Sequence, residues 1–126
     1  MTTWSTAMLD AIIAADDLHI APFRPDGITT GTPTWIWCVN VDGELYVRAY
    51  TGVESRWYRA ALQQGTGLIT AAGTTHHVTF TAETDDALNA RIDEAYRAKY
   101  RDNEYTEPMC VPEVRAATVR IRPATA

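Results

Sequence analysis

The stretch that most constrains the fold of this chain is residues 34–62, TWIWCVNVDGELYVRAYTGVESRWYRAAL. Two runs of alternating residues flank Asp42 and Gly43. An Asp-Gly pair in that position predicts a two-residue β-hairpin turn, because such a turn needs positive φ angles. The turn fixes the register of the predicted hairpin, which pairs Val41 with Glu44, Val39 with Tyr46, Trp37 with Arg48 and Trp35 with Tyr50.

Side chains alternate along a strand, so this register divides the hairpin into two different faces. One face carries the small apolar residues of an ordinary core: Ile36, Cys38, Leu45, Val47 and Ala49. The other face carries large aromatic residues and one cation: Trp35, Trp37, Tyr46, Arg48 and Tyr50. Aromatic surfaces beside a guanidinium group suit a flat, anionic, partly aromatic ligand. The second face is therefore a candidate binding surface.

A polar loop, residues 51–55, leads from the hairpin into a predicted helix over about 54–64. A loop of Gly and hydroxyl residues that opens a helix exposes backbone N–H groups at the positive end of the helix dipole, where anions bind. Arg48 and Arg56 would add fork-shaped donors to such a site. The alternative is that Ser55 only caps the helix and that the arginines are solvated.

The rest of the chain predicts further antiparallel strands and helices. The expected elements are a helix over about 3–16, a short strand at 19–21, a hairpin of 68–72 with 76–80 around Gly73, a helix capped by Thr84 and running to about Tyr100, and a last strand over about 114–122. About six strands in antiparallel connections with a few helices predict an α+β fold, a small barrel with helices at its openings. The length predicts a single domain over 1–126.

Composition and charge narrow the classes of function. The 126-residue chain has a formal net charge of -5, and an acidic chain without a basic stripe is a poor candidate for nucleic-acid binding. Its two cysteines, Cys38 and Cys110, stand far apart with no Cys/His spacing of a metal site, so no metal is expected. The N-terminal run lacks a basic region and is interrupted by Asp10, which predicts a cytoplasmic protein without a membrane span.

Histidine and tyrosine side chains are the candidates for proton transfer. His76 and His77 point to opposite faces of a strand, and His76 is expected on the more apolar face, either packed or acting as an acid or base. The tyrosines Tyr96, Tyr100 and Tyr105 are the other candidates, and Tyr96 and Tyr100 lie four residues apart on a helix and share one face. A phenol can hold a substrate oxygen and pass a proton, while the alternative role is core packing. No nucleophile or dinucleotide motif occurs, so a cofactor is expected to perform any difficult step.

The order of these pieces resembles the flavin-binding split-barrel superfamily, which includes pyridoxamine-phosphate-oxidase-like proteins and deazaflavin-dependent nitroreductases. The pieces that carry the resemblance are 33–37, 42–43, 45–47, 57–58, Gly73, Tyr96 with Tyr100, and 119–121. A closer resemblance is to a family of uncharacterised bacterial proteins, domain of unknown function 2255. It rests on residues 15–20, 34–37, 95–100 and 112–116.

The resemblance implies an antiparallel split β-barrel that forms a homodimer and holds its cofactor at the dimer seam. It implies an oxidoreductase that uses FMN or the deazaflavin coenzyme F-420 to reduce a small organic substrate. In that case the phosphate would contact Arg48, Thr51, Ser55 and Arg56, the ring would contact Trp35, Trp37 and Tyr46, and the substrate would contact Tyr96 or Tyr100. Two alternatives are a non-catalytic protein that binds a flavin, haem or metabolite, and a cofactor-free pocket for a cyclisation or rearrangement of a natural product. In the second alternative a His or a Tyr, such as His76, would be the acid.

Overall fold

The computed structural model describes residues 3–124 and has an α+β fold built on one antiparallel sheet. Its helices are α1 (Thr6–Ala15), α2 (Arg56–Gln64), α3 (Asp86–Lys99) and α4 (Pro112–Arg115). Its strands are β1 (His19–Pro22), β2 (Thr34–Trp35), β3 (Cys38–Val41), β4 (Glu44–Arg48), β5 (Thr66–Ala71), β6 (Thr74–Ala82) and β7 (Thr118–Pro123). Short 3-10 turns cover Gly52–Glu54 and Glu107–Cys110. Within the described residues, no helix is both long and apolar enough to cross a membrane.

The strands form a half-barrel in the order β2-β1-β5-β6-β7-β4-β3, with every neighbouring pair antiparallel. The predicted α+β split barrel is therefore confirmed, with seven strands in the described chain where about six were expected. The additional strand arises because the first strand of the predicted hairpin is divided in two. β2 and β3 are close in sequence but lie at opposite edges of the sheet.

The hairpin turn forms as predicted, since Asp42 and Gly43 have φ angles of 55° and 81°. The pairs Val41 with Glu44 and Val39 with Tyr46 are confirmed. The predicted pairing of Trp35 with Tyr50 is wrong, because Trp35 pairs with His19 of β1 instead. The Ile36 N–H also donates to the Leu18 carbonyl at 3.0 Å, which holds this segment against the opposite edge of the sheet.

Two other predicted boundaries differ from the structure for local reasons. Asp85, and not Thr84, is the N-cap of α3, because its carboxylate accepts the Leu88 N–H at 2.8 Å. The last strand starts at Thr118, since Pro112 opens the short helix α4 where a strand was expected. The predicted helix end at Gly65 is confirmed by its left-handed φ of 73°.

The core has two parts, one on each face of the β3–β4 hairpin. The main core lies on the face with the small residues and includes Cys38, Leu45, Val47 and Ala49, as the alternation predicts. The second core lies under α3 and contains Val39, Val41, Tyr46, Ile92, Tyr96, Tyr100, Met109 and Val114. The part of the predicted binding face that carries Tyr46 is therefore covered by α3, and the candidate site lies at the end of the hairpin where Trp35, Trp37 and Tyr50 remain accessible.

Replacing Gly67 in β5 by Ala should destabilise the fold by about 1–3 kcal/mol through overpacking. A Cβ atom at this position would lie 2.6 Å from the Cα atom of Pro22 and 2.8 Å from the ring of Phe80. Gly31→Ala is the matched control, because its Cβ would meet only the flexible end of Arg24 at 3.9 Å. Urea denaturation should show a clear fall in the midpoint for Gly67→Ala alone, and equal midpoints would contradict the predicted clash.

Candidate functional site

A cavity of about 740 Å³ lies where the β2–β3 segment, the end of β4, the start of α2 and the loop after α3 meet. Six aromatic side chains line it: Trp35, Trp37, Tyr50, Trp57, Tyr100 and Tyr105. Its polar lining comes from Asp16, Thr34, Arg48, Thr51, Ser55 and Asn103. A concave, mostly aromatic surface with a few polar groups is the usual form of a small-molecule site, and the volume lies in the range of about 300–1,000 Å³.

One wall of the cavity is a fixed aromatic pair. The rings of Trp37 and Tyr100 stack with centroids 3.9 Å apart and planes 7° from parallel. The Tyr100 hydroxyl donates to Asp16 Oδ1 at 2.6 Å and accepts the Cys38 N–H at 3.1 Å. Burial, together with the bond to Asp16, raises the pKa of Tyr100 well above its ordinary value. Tyr100 therefore stays protonated at neutral pH, with its hydrogen directed to Asp16.

Asp16 joins three parts of this wall, although sequence reasoning assigned it only a structural place at the end of α1. Besides Tyr100, its Oδ1 lies 3.2 Å from Lys99 Nζ, and its backbone carbonyl accepts the Trp35 indole N–H at 3.2 Å. Asp16 has a left-handed φ of 49°, which turns the chain sharply after the helix. An acidic residue at a helix end is common, so the sequence carried no signal for this role.

The Arg48 guanidinium reaches the cavity wall but is bound entirely by the protein. Its Nε donates to Thr118 Oγ1 at 2.9 Å, and its Nη1 donates to Asp93 and to the Met109 carbonyl. Its Nη2 donates to the carbonyl and the side-chain oxygen of Asn89. An arginine has five N–H groups, and all five are engaged here. In this arrangement Arg48 connects β4 to α3 and has no N–H left for a ligand phosphate.

The predicted anion site at the start of α2 is partly assembled. Thr51 and Ser55 both line the cavity, and Ser55 is only 9% exposed. The Ser55 side chain makes no capping hydrogen bond, and the first turn of α2 contains no acidic residue. Arg56 lies at the first position of α2, but its side chain lines a different cavity. The hydroxyl of Ser55 is thus left facing the aromatic cavity without a partner in the described chain.

Three other predicted site residues are not brought to this cavity. Tyr46 is buried in the second core beneath α3. Tyr96 is fully buried, and its ring lies 5.3 Å from the guanidinium carbon of Arg48. His76 packs edge-on against Trp4 with centroids 5.3 Å apart, and burial lowers its pKa. These three side chains are packing residues in this structure.

Sequence reasoning also missed Trp57 and Asn103 as members of the cavity, whereas Tyr105 was one of its candidate tyrosines. Trp57 follows Ser55 on α2, so its place could have been inferred from the predicted anion site. Tyr105 and Asn103 belong to the loop after α3, whose path no local pattern predicts. In residues 3–124, no group of three or more His, Cys, Asp or Glu side chains has the arrangement of a metal site.

Two solved structures are similar to this chain over most of its length. The conserved hypothetical protein Rv2991 from Mycobacterium tuberculosis is 15% identical, with a TM-score of 0.64, and the match covers 98% of this chain and 82% of the other. A putative pyridoxamine 5'-phosphate oxidase from Listeria innocua is 12% identical, with a TM-score of 0.63, covering 94% of this chain and 90% of the other. At these identities the likeness shows the fold alone, and that fold is the split barrel.

Comparison with curated protein sequences gives no match. The sequence profile of a family described as an uncharacterised protein conserved in bacteria matches residues 8–121, which is nearly the whole chain. The chain therefore belongs to this bacterial family, domain of unknown function 2255.

Proposed function

We propose that this protein binds a phosphorylated flavin, either FMN or the deazaflavin coenzyme F-420, in the aromatic cavity and uses it to reduce a small organic molecule. The observation that carries the proposal is the position of the unpartnered Ser55 hydroxyl, which lies at an uncapped helix N-terminus on the wall of an aromatic cavity. The split-barrel fold shared with a putative pyridoxamine 5'-phosphate oxidase supports it. A flavin bound there would supply the hydride-transfer chemistry that the side chains lack.

The start of α2 would hold the phosphate. The first intrahelical bond runs from the Arg59 N–H to the Ser55 carbonyl at 3.0 Å, so the N–H groups of residues 56–58 have no partner in the helix. Together with the hydroxyls of Thr51 and Ser55 they form a set of donors beside the positive end of the helix dipole. A bound anion would also offset the unfavourable position of a cation, Arg56, in the first turn.

The tryptophans of the cavity would hold the ring. Trp37 is already fixed by its stacking on Tyr100, and Tyr100 is in turn held by Asp16, so this surface needs little ordering when a flat ligand binds. Trp35 and Trp57 add further aromatic surface. Offset stacking of aromatic groups contributes about 0.5–1.5 kcal/mol for each pair beyond the buried area.

Among the tyrosines, Tyr105 is the best-placed proton donor. Of the two that the family resemblance indicates, only Tyr100 lines the cavity, and its hydroxyl hydrogen is held by Asp16. Tyr105 also lines the cavity, and its hydroxyl forms no hydrogen bond with any residue from 3 to 124. Tyr100 would therefore position the stacking surface, while Tyr105 would donate a hydrogen bond or a proton to the substrate.

A second copy of the chain would close the mouth of the cavity. Trp35, Tyr50 and Tyr105 are all more than half exposed, at 54%, 54% and 53%, and all three line the cavity. Adjacent exposed aromatic residues are typical of interaction surfaces. We therefore propose a homodimer with the cofactor at its seam. Light scattering should give the mass of a dimer at micromolar concentration. The mass of a monomer, both with and without FMN, would exclude a cofactor site at a dimer interface.

The phosphate contacts can be tested by comparing FMN with riboflavin, which has the same ring and no phosphate. Ser55→Ala and Thr51→Val should each weaken FMN binding about tenfold in calorimetry, because a hydrogen bond to a charged group contributes about 1.5–3 kcal/mol. Riboflavin affinity should be unchanged. Thr81→Val is the control, because Thr81 is an exposed residue of β6 away from the cavity.

Two outcomes would count against the proposal in different ways. Equal FMN affinity in wild type, Ser55→Ala and Thr51→Val would show that the phosphate does not bind at the start of α2. If FMN, riboflavin and coenzyme F-420 all fail to bind, the proposed flavin binding is wrong and the cofactor-free alternative is favoured. Binding without turnover would favour a flavin-binding protein that is not an enzyme.

A further inference from the structure

A second cavity of about 470 Å³ adjoins the aromatic cavity. It lies between β1, the loop that follows β1 and the outer face of α2. Thr34 and Trp57 line both cavities, so the two spaces meet on either side of these residues. A ligand in the aromatic cavity that carries a chain could therefore extend past Trp57 into the second cavity.

The second cavity is positively charged in a chain that is acidic as a whole. Its charged lining residues are Arg24 and Arg56, and it has no acidic lining residue. Seven of the eleven Lys and Arg residues form ion pairs: Arg48, Arg91, Arg97, Lys99, Arg115, Arg120 and Arg122. The described chain gives no ion pair to the remaining four, Arg24, Arg56, Arg59 and Arg101. Arg24 and Arg56 both line this one cavity, which therefore holds two positive charges that form no ion pair with any residue from 3 to 124.

Asp26, the acidic residue closest to Arg24 in the sequence, is engaged by the turn that follows Arg24. Asp26 accepts hydrogen bonds from the backbone N–H groups of Ile28 and Thr29 and from the Thr29 hydroxyl, at 2.9, 2.9 and 2.6 Å. These bonds hold the turn after Arg24 and lower the pKa of Asp26 to about 2. The Asp26 carboxylate therefore stabilises the loop, and although the charge of Arg24 also helps to lower its pKa, the two side chains form no ion pair. The neutral polar residues Thr32, Thr34, Gln63 and Gln64 complete the polar lining.

We infer that the second cavity binds an anionic group, a phosphate or a carboxylate, of a ligand whose aromatic part occupies the first cavity. The aromatic part of this inference rests on the proposed flavin binding, while the anion site rests on Arg24 and Arg56 alone. Guanidinium groups bind phosphate and carboxylate through paired N–H donors. An anion between the two arginines would also offset the unfavourable charge of Arg56 at the N-terminus of α2. The ligand class is thus a flat aromatic compound with one phosphate near Ser55 and a further anionic group on a chain.

The anion site can be tested without a flavin by titrating inorganic pyrophosphate and citrate, which represent the two anion types. At low ionic strength, Arg24→Gln and Arg56→Gln should each weaken binding of the preferred probe about tenfold. Arg59→Gln is the matched control, because it removes the same charge from the same helix without altering the cavity lining. Thr81→Val, at an exposed residue of β6 that lines neither cavity, should leave the binding of this probe unchanged. Thermal unfolding of each variant would check that the fold is intact.

A second measurement links the anion site to the aromatic cavity. Coenzyme F-420 carries carboxylates in addition to its phosphate, whereas FMN carries the phosphate alone. Arg24→Gln should weaken F-420 binding about tenfold and leave FMN binding unchanged. Pyrophosphate and citrate affinities that are the same in wild type, Arg24→Gln and Arg56→Gln, or that fall equally in Arg59→Gln, would overturn the anion site. Loss of FMN and F-420 binding in wild type, with the probe results intact, would instead overturn only the flavin proposal.

Discussion

Replacing Asp93 by Ala is expected to destabilise the protein by about 3–5 kcal/mol, since it leaves the Arg48 guanidinium buried without its counter-charge. The Arg48 side chain is fully buried and the Asp93 side chain is 12% exposed, with 2.5 Å between Nη1 and Oδ1. Arg115 also lies 3.3 Å from Asp93 and would lose this contact. Urea denaturation of wild type and Asp93→Ala measures the difference.

The structure provides a matched control in a second Asp–Arg pair that is exposed. Asp42 and Arg91 are 2.6 Å apart, with side chains 65% and 55% exposed. Asp42→Ala should therefore change the free energy of unfolding by only about 0–1 kcal/mol. The double variant Arg48→Met with Asp93→Ala should recover part of the loss, because it removes the unpaired charge. Equal losses for Asp93→Ala and Asp42→Ala would show that burial of the Arg48 pair does not govern its contribution.

If the protein is a flavin-dependent reductase, replacing Tyr105 by Phe should lower turnover by about 10²-fold, the low end for a lost proton donor. The substitution removes one hydroxyl from an exposed ring, so flavin affinity and thermal stability should change little. Stopped-flow reoxidation of reduced FMN or F-420 by the quinone menadione would measure turnover.

Tyr100→Phe is the informative comparison, because its hydroxyl contacts Asp16 and Cys38 and not the open cavity. This variant should weaken flavin binding and lower stability, since Asp16 loses a hydrogen bond and the ring stacked on Trp37 is held less firmly. Its turnover at saturating flavin should stay within a few-fold of wild type. Normal turnover in Tyr105→Phe together with a 10²-fold loss in Tyr100→Phe would reverse the two roles.

The sequence alone determined the features that depend on neighbouring residues. The Asp42-Gly43 turn and the pairing of Val39 with Tyr46 follow from turn geometry and from the two-residue period of a strand, and both are present in the structure. The helix end at Gly65 follows from one residue's tolerance of positive φ. The placement of Thr51 and Ser55 in the loop between a strand and a helix was also predictable, because it follows from the local order of an alternating run, a polar loop and a helical run.

Only the tertiary structure decided which surfaces of these local elements remain open. The period of a strand tells two faces apart, but it does not show that α3, forty residues further along the chain, covers the face with Tyr46. In the same way, Arg48 is a free cation in the sequence and a fully bonded one in the fold, because Asn89, Asp93 and Thr118 arrive from distant segments. The division of the predicted first strand into β2 and β3, at opposite edges of the sheet, also depends on pairing with β1. Burial and partner choice depend on contacts between residues far apart in the chain, and a local pattern carries no information about those contacts.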